Sequence, residues 1–224
     1  MARFGRLEVL NTMVKIGLVP IFYTPDVEKA KRIVDACLAG GARIFEFTNR
    51  GDMAYRVFCE IMDYTVKTQP QAILGVGSVL DAPTAGIYIN SGANFVVAPN
   101  LNPEVARMCN RRKVAYLPGC GTVSEISDAE ELGVEIVKIF PGGQMGGPGF
   151  IKAVKGPLPW VSILPTGGVS PTKESVGEWI KAGAVCLGMG SNLIVKEMVD
   201  KGDWAGISKN VENCLKLIAE ARKS

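Results

Sequence analysis

Histidine is missing from all 224 residues of the chain. That absence removes every Ser-His-Asp and Cys-His pair, every imidazole base and every histidine-ligated metal. Acid–base chemistry near neutral pH then falls to carboxylates, lysines, tyrosines or cysteines whose pKa the fold has moved. C-x-x-C pairs are missing too: the cysteines at 37, 59, 109, 120, 186 and 214 stand alone, most in apolar surroundings such as Val185-Cys186-Leu187. Such thiols are expected to be free and buried, in a reducing, cytoplasmic compartment. No apolar run approaches the roughly 18 residues of a membrane span. Charges at Arg3, Arg6 and Glu8 leave Met1 to Asn11 without the apolar core of a signal peptide, so no membrane association is expected. Strong charge of one sign is lacking: the net charge is +3 and no basic block exceeds Arg111-Arg112-Lys113, so no nucleic-acid partner is expected.

What is present is globular. Hydrophobic residues make up 47% and charged residues 21%, which excludes disorder. The length suits one domain spanning residues 1–224, since single α/β barrels run to about 200–250 residues. One pattern recurs. A short apolar run ends in Gly, Pro, Ser, Thr or Asn, and an amphipathic stretch follows. The runs are Leu18–Tyr23, Arg43–Thr48, Ala72–Val76, Phe95–Ala98, Val114–Leu117, Ile136–Phe140, Val161–Leu164 and Val185–Leu187. Their starts lie 19 to 29 residues apart, the length of one βα unit.

Helix starts carry caps. Thr24-Pro25, Asn102-Pro103 and Ser170-Pro171 each put a cap before a proline at the first helical position. Thr122-Val-Ser-Glu125 is a capping box. Arg3–Lys15 reads as a leading helix, and Asp203 to about Lys223 as a closing one. Eight βα units without a linker predict an α/β fold, a (β/α)₈ TIM barrel with an extra N-terminal helix. The alternative is an open doubly wound sheet, but no G-x-G-x-x-G follows the first strand.

In a barrel, function sits where strands end and βα loops begin. Two charged residues lie inside strands near such ends. In Arg43-Ile-Phe-Glu-Phe-Thr48, alternation puts Ile44, Glu46 and Thr48 on one face and both phenylalanines on the other. In Glu135-Ile-Val-Lys-Ile-Phe140, Ile136, Lys138 and Phe140 share a face. These are the second and sixth strands, which stand opposite in an eight-stranded ring, so Glu46 and Lys138 are expected to converge. The plainer alternative is a structural ion pair. Against it, buried charge pairs are weak stabilisers, whereas a lysine in an apolar cavity loses its proton and becomes the nucleophile that a Schiff base needs.

Three further features fall at strand ends. Pro165-Thr166-Gly167-Gly168-Val169-Ser170 and Gly188-Met-Gly190-Ser191-Asn192 follow strands seven and eight, where glycine loops let backbone N–H groups meet an anion. They read otherwise as two glycine turns. Arg50 follows strand two, with a guanidinium that would hold a carboxylate bidentately or else pair with Asp52. Ser78 would add a hydroxyl there, or else cap the next helix in competition with Asp81.

Taken together, Glu46 with Arg50, Gly75-Val-Gly-Ser78-Val79, Pro118-Gly-Cys-Gly-Thr122-Val-Ser-Glu125, Val137-Lys138-Ile-Phe-Pro141 and Pro165-Thr-Gly-Gly-Val-Ser170 resemble, in order, the 2-keto-3-deoxy-6-phosphogluconate (KDPG) and 4-hydroxy-2-oxoglutarate aldolases. The resemblance implies a class I pyruvate aldolase on a trimeric barrel, with no metal or other cofactor. Lys138 aligns with the Schiff-base lysine and Glu46 with the general acid/base. Arg50 and Ser78 match positions that hold the pyruvyl carboxylate, and Pro99 and Phe140 positions that shape the pyruvyl pocket. Thr166, Gly167, Gly168, Gly190 and Ser191 match the substrate-binding loops, the glycines and the serine at the phosphate. The chain departs from the family pattern at Asn49-Arg50-Gly51-Asp52, at Pro141-Gly-Gly-Gln144, and at the end of strand one, where Ile21-Phe22-Tyr23-Thr24 stands in place of a common basic residue. These differences fall on the aldehyde half of the substrate. Two other readings keep the pocket. One is a phosphate-binding isomerase or synthase without a covalent adduct; the other is a non-catalytic sugar-phosphate-binding protein.

Overall fold

Strands form in the short, mostly apolar runs. They are β1 (Leu18–Phe22), β2 (Ile44–Thr48), β3 (Ile73–Gly77), β4 (Phe95–Val97), β5 (Ala115–Leu117), β6 (Gly119–Cys120), β7 (Val137–Ile139), β8 (Ile163–Pro165) and β9 (Leu187–Met189). The computed structural model describes residues 2–223; Met1 and Ser224, the ends of the expected domain, lie outside the described residues. Helix α1 (Arg6–Ile16) precedes β1. Then α2 (Val27–Ala39), α3 (Ala54–Thr68), α4 (Ala82–Asn90) and α5 (Pro103–Arg112) follow β1 to β4 in turn. After β6, β7 and β8 come α6 (Val123–Glu131), α7 (Gly147–Lys155) and α8 (Lys173–Lys181), and β9 is followed by α9 (Lys196–Lys201) and α10 (Trp204–Ala221).

The architecture is α/β, with a curled parallel sheet. Six strands pair in the order β5-β4-β3-β2-β1-β9, and three in the order β6-β7-β8. The break between the two sheets falls at Pro118, one residue past the end expected for the fifth strand. β5 pairs with β4 on one side of it and β6 with β7 on the other. Proline has no N–H to give a ladder, but its carbonyl still accepts the Lys138 N–H at 3.0 Å. Single parallel bridges, Ile163 to Ala184 and Thr166 to Gly188, join the sheets at their other edge.

Alternation along the strands sorts the core into two layers. Val19, Ile21, Ile44, Ile73, Phe95 and Ile136 face inward, and α1 lays Val9, Leu10 and Met13 against them. Phe45, Phe47, Val137 and Ile139 face outward into the layer under the helices. Each such side chain, fully buried, contributes about 1.5–3 kcal/mol.

Two expected caps move. Asp26, not Thr24, caps α2 by accepting the Lys29 N–H, and Thr24 Oγ1 accepts the N–H of Asp26. Thr172, not Ser170, caps α8. Each proline thus precedes the helix rather than starting it. Asn102 caps α5 as expected, and Thr122 caps α6, with Glu125 reaching back to the Gly121 N–H at 2.8 Å. Asp81 caps α4, which leaves Ser78 free. Among the described residues no helix is long and apolar enough to cross a membrane.

Candidate active site

Glu46 and Lys138 are buried polar residues of the inner layer, with relative exposures of 3% and 5%. Glu46 sits on β2 in register with Ile21 and Gly75, and Lys138 on β7 in register with Gly119 and Leu164. The two therefore come from different sheets. Among the described residues they form no ion pair, yet each perturbs the other. Burial pushes the Glu46 carboxyl above its usual range, and the charges of Lys138 and Arg50 partly oppose that. Burial pulls the Lys138 amine below its usual range; Glu46 opposes the shift and Arg50 adds to it. A carboxylic acid that keeps its proton longer thus faces an amine that gives its proton up sooner. The Lys138 Nζ lies 4.8 Å from the centroid of the Phe140 ring.

Room for the glutamate comes from the neighbouring strand. A Cβ on Gly77 would lie 1.8 Å from Glu46 Oε1, and one on Gly75 would lie 2.4 Å from the Phe95 ring. The bare inner face of β3 is what lets Glu46 and Phe95 lie across it. On the lysine side, a Cβ on Gly119 would lie 2.1 Å from the Pro99 carbonyl oxygen. Pro99 thus closes over the residue in register with Lys138.

Arg50 and Ser78 meet at the ends of β2 and β3: the Arg50 Nε donates to Ser78 Oγ at 3.4 Å. Ser78 holds φ 61, a left-handed conformation that costs a non-glycine residue of order 1–3 kcal/mol. The strain turns its hydroxyl toward Arg50. The pairing weighed for Arg50 with Asp52 is replaced by this contact.

A cavity of about 680 Å³ opens at the carboxyl ends of the strands, and its wall includes Arg50, Phe140, Thr166, Gly167, Gly168, Gly190 and Ser191. Glu46, Lys138, Ser78 and Pro99 are not in that wall; Phe140 connects the two tiers, since its ring lines the cavity and lies over Lys138. Gly142 and Gly143 donate to the carbonyls of Thr166 and Gly167, and Asn192 Nδ2 donates to the carbonyl of Val169, so three loops are tied together. Among the described residues the N–H groups of Gly167, Gly168, Gly190 and Ser191 donate to no acceptor. Gly167 and Gly168 hold φ 85 and 81, conformations that glycine adopts without cost. Thr166 Oγ1 is buried without a partner. Gly167, Gly168, Gly190 and Ser191 all line the cavity. No group of three or more metal-ligating side chains is placed to hold a metal among the described residues.

The family model for "KDPG and KHG aldolase" matches residues 9–210. The chain belongs to that family. A "2-dehydro-3-deoxy-phosphogluconate aldolase" of Pseudomonas aeruginosa is 34% identical over 195 residues, covering 85% of this chain and 84% of that one. A "KHG/KDPG aldolase" of Escherichia coli K12 is 31% identical over 192 residues, covering 86% and 87%. Among solved structures, a KDPG aldolase from Legionella pneumophila with pyruvate captured as a covalent carbinolamine superposes with a TM-score of 0.81 at 24% identity, over 90% of this chain and 95% of that one. At that identity it shows the fold.

Within this family frame, three features escaped the reading of the residues. Tyr23 lines the cavity, and its hydroxyl would lie 2.0 Å from a Cβ at position 51. Gly51 is therefore the partner of Tyr23. Lys29 and the α9 pair Lys196 and Asp200 also line the cavity. Tyr23 and Gly51 lie 28 residues apart in the chain, so nothing in the spacing announced either of the first two. The necessity of Gly77 was the third, hidden in cross-strand register.

Proposed function

We propose that the chain is a class I aldolase that cleaves a 2-keto-3-deoxy sugar acid to pyruvate and an aldehyde. The observation that carries this reading is the inner-layer pair of a buried lysine with a lowered pKa and a buried carboxyl with a raised one. In the proposed cycle the neutral Lys138 Nζ attacks the C2 ketone to give a carbinolamine, which loses water to form an iminium ion. Arg50 and Ser78 hold the carboxylate, and Pro99 and Phe140 flank the pyruvyl group. Glu46 takes the proton of the C4 hydroxyl, and the C3–C4 electron pair flows into the iminium as that bond breaks. The aldehyde leaves an enamine, Glu46 returns a proton to C3, and hydrolysis releases pyruvate and Lys138.

The substrates that the relatives' names support are 2-dehydro-3-deoxy-6-phosphogluconate, giving glyceraldehyde 3-phosphate, and 4-hydroxy-2-oxoglutarate, giving glyoxylate. Thr166, Gly167, Gly168, Gly190 and Ser191 would seat a phosphate through their free donors. Borohydride with pyruvate is expected to add one reduced pyruvyl group to Lys138, read by peptide mass. An unmodified lysine under conditions that trap a control aldolase overturns the assignment. A panel of 2-keto-3-deoxy acids, with and without phosphate, assayed for pyruvate release, then identifies the aldehyde half.

The same reading closes the two sheets into one (β/α)₈ barrel, with β5 and β6 as a single strand crossed by Pro118 and with α1 as the extra N-terminal helix. The bridges between β8 and β9 support closure. It also makes residues 1–224 one domain and the assembly a homotrimer. Support for the assembly is the exposed apolar set Met53, Tyr55, Leu80 and Ile87, exposed by 41–64% on and around α3 and α4. Analytical ultracentrifugation tests it: a monomer at micromolar concentration refutes the trimer. Six free cysteines, five of them buried, suit a reducing cytoplasm.

A further inference from the structure

The cavity reaches past the glycine loops to a rim built by α2 and α9. There Lys29 from the first turn of α2 and Lys196 from α9 flank Asp200. Lys196 and Asp200 pair at 2.5 Å along their own helix, one turn apart. Lys29 reaches Asp200 across the gap between the helices, at 3.6 Å. That longer contact is the weaker one. It lies beyond ordinary hydrogen-bond length, and the other oxygen of the same carboxylate already has a closer cation. Lys29 is also the less exposed lysine, with its side chain 38% exposed against 88% for Lys196.

The charges lining the cavity are distributed unevenly. Arg50 is the cation at the β2 end. Lys29 and Lys196, from α2 and α9, line the same cavity, together with Gly168, Gly190 and Ser191 and the carboxylates of Asp26 and Asp200. A substrate with a carboxylate at one terminus and a phosphate at the other matches that layout: the carboxylate meets Arg50, and the phosphate meets free N–H groups with ammonium groups beyond them. Asp200 works against the second match by neutralising the lysines.

We propose that Lys29 is a specificity-determining residue for a phosphorylated substrate terminus, and that Asp200 sets its strength by competing with the phosphate for the same ammonium. This rests on the aldolase reading for the identity of the substrate, but not for the anion site itself. A dianion at the glycine loops draws the Lys29 ammonium off its long contact with Asp200, and Lys196 keeps that carboxylate paired. A substrate without a phosphate leaves Lys29 where it is.

Two substitutions push in opposite directions. K29M keeps the aliphatic stem and removes the charge; D200N keeps the shape and frees both lysines. Inorganic phosphate is the probe, titrated by phosphorus NMR into the full-length protein. K29M is expected to weaken its binding by about three- to tenfold, and D200N to strengthen it by about two- to fivefold, the range that rim charges supply. Both effects should shrink in high salt. In turnover, K29M should lower kcat/KM for a phosphorylated 2-keto-3-deoxy acid relative to its unphosphorylated counterpart, and D200N should raise that ratio. Neither variant should change pyruvate trapping on Lys138. Unchanged phosphate binding in K29M, or weaker binding in D200N, overturns the proposal. Failure of the wild-type protein to trap pyruvate overturns the aldolase reading instead, and the phosphate titration still decides the role of Lys29.

Discussion

The six-stranded sheet and the three-stranded sheet carry different halves of the site. From the first come Glu46, Arg50 and Ser78: the proposed acid/base and two groups proposed for the carboxylate. From the second come Lys138, Phe140 and Thr166: the proposed nucleophile, the ring over it and an unpartnered hydroxyl. The larger sheet has long ladders, with five residues of β2 in register with five of β3. The smaller one is made of two- and three-residue strands. The comparison teaches that, in the proposed mechanism, the carboxylate would be held on the more extensively paired wall and covalent attack would come from the shorter one. The two sheets meet at the break at Pro118 and at two single bridges.

Breaking one wall at a time should separate the two roles. K138M is expected to abolish both pyruvate release and borohydride trapping. E46Q should lower turnover by about 10²–10⁴-fold, while trapping of pyruvate on Lys138 persists. Loss of trapping in E46Q would assign both jobs to both walls. G77A adds one methyl group on the larger sheet, 1.8 Å from Glu46 Oε1. It should behave as a weaker E46Q, with kcat reduced and trapping retained.

Next in size is the pH dependence. Schiff-base formation needs the free amine, so the trapping rate should rise with pH through the lowered pKa of Lys138. Burial lowers the midpoint most, and charges on the larger sheet adjust it. Glu46 raises it and Arg50 lowers it, so E46Q should move the profile to lower pH and R50M to higher pH. Profiles that coincide would mean the two walls are electrically independent. S78A, which removes the acceptor of the Arg50 Nε, should raise the KM for the keto acid by about tenfold, the scale of one hydrogen bond. The smallest effect is a control. T122A removes the cap of α6, just past the break, and should cost about 1 kcal/mol of stability by thermal unfolding with kinetics unchanged.

Much of this was legible in the chain itself. Glu46 and Lys138 announce themselves because a charge within an alternating apolar run has to point somewhere costly. Both strands kept the expected faces, with Phe45 and Phe47 outward and Ile44 and Ile136 inward. The caps at α2 and α8 slipped because two capping residues flank each proline, and local sequence does not rank them. Gly77 looks like any strand glycine until register lays Glu46 across it. The Lys29–Asp200–Lys196 rim joins helices about 170 residues apart in the chain, and no periodicity reports how two helices dock.

The position of Pro118 also orders the site in time. In the proposed mechanism Arg50 and Ser78, the groups for the carboxylate, lie before that proline, and the nucleophile lies after it. During synthesis at about 5–20 residues per second, the chain exposes the carboxylate-binding groups seconds before Lys138 exists. A chain cut at the proline would separate Glu46, Arg50 and Ser78 from Lys138, and the proposed mechanism needs both pieces together to make pyruvate.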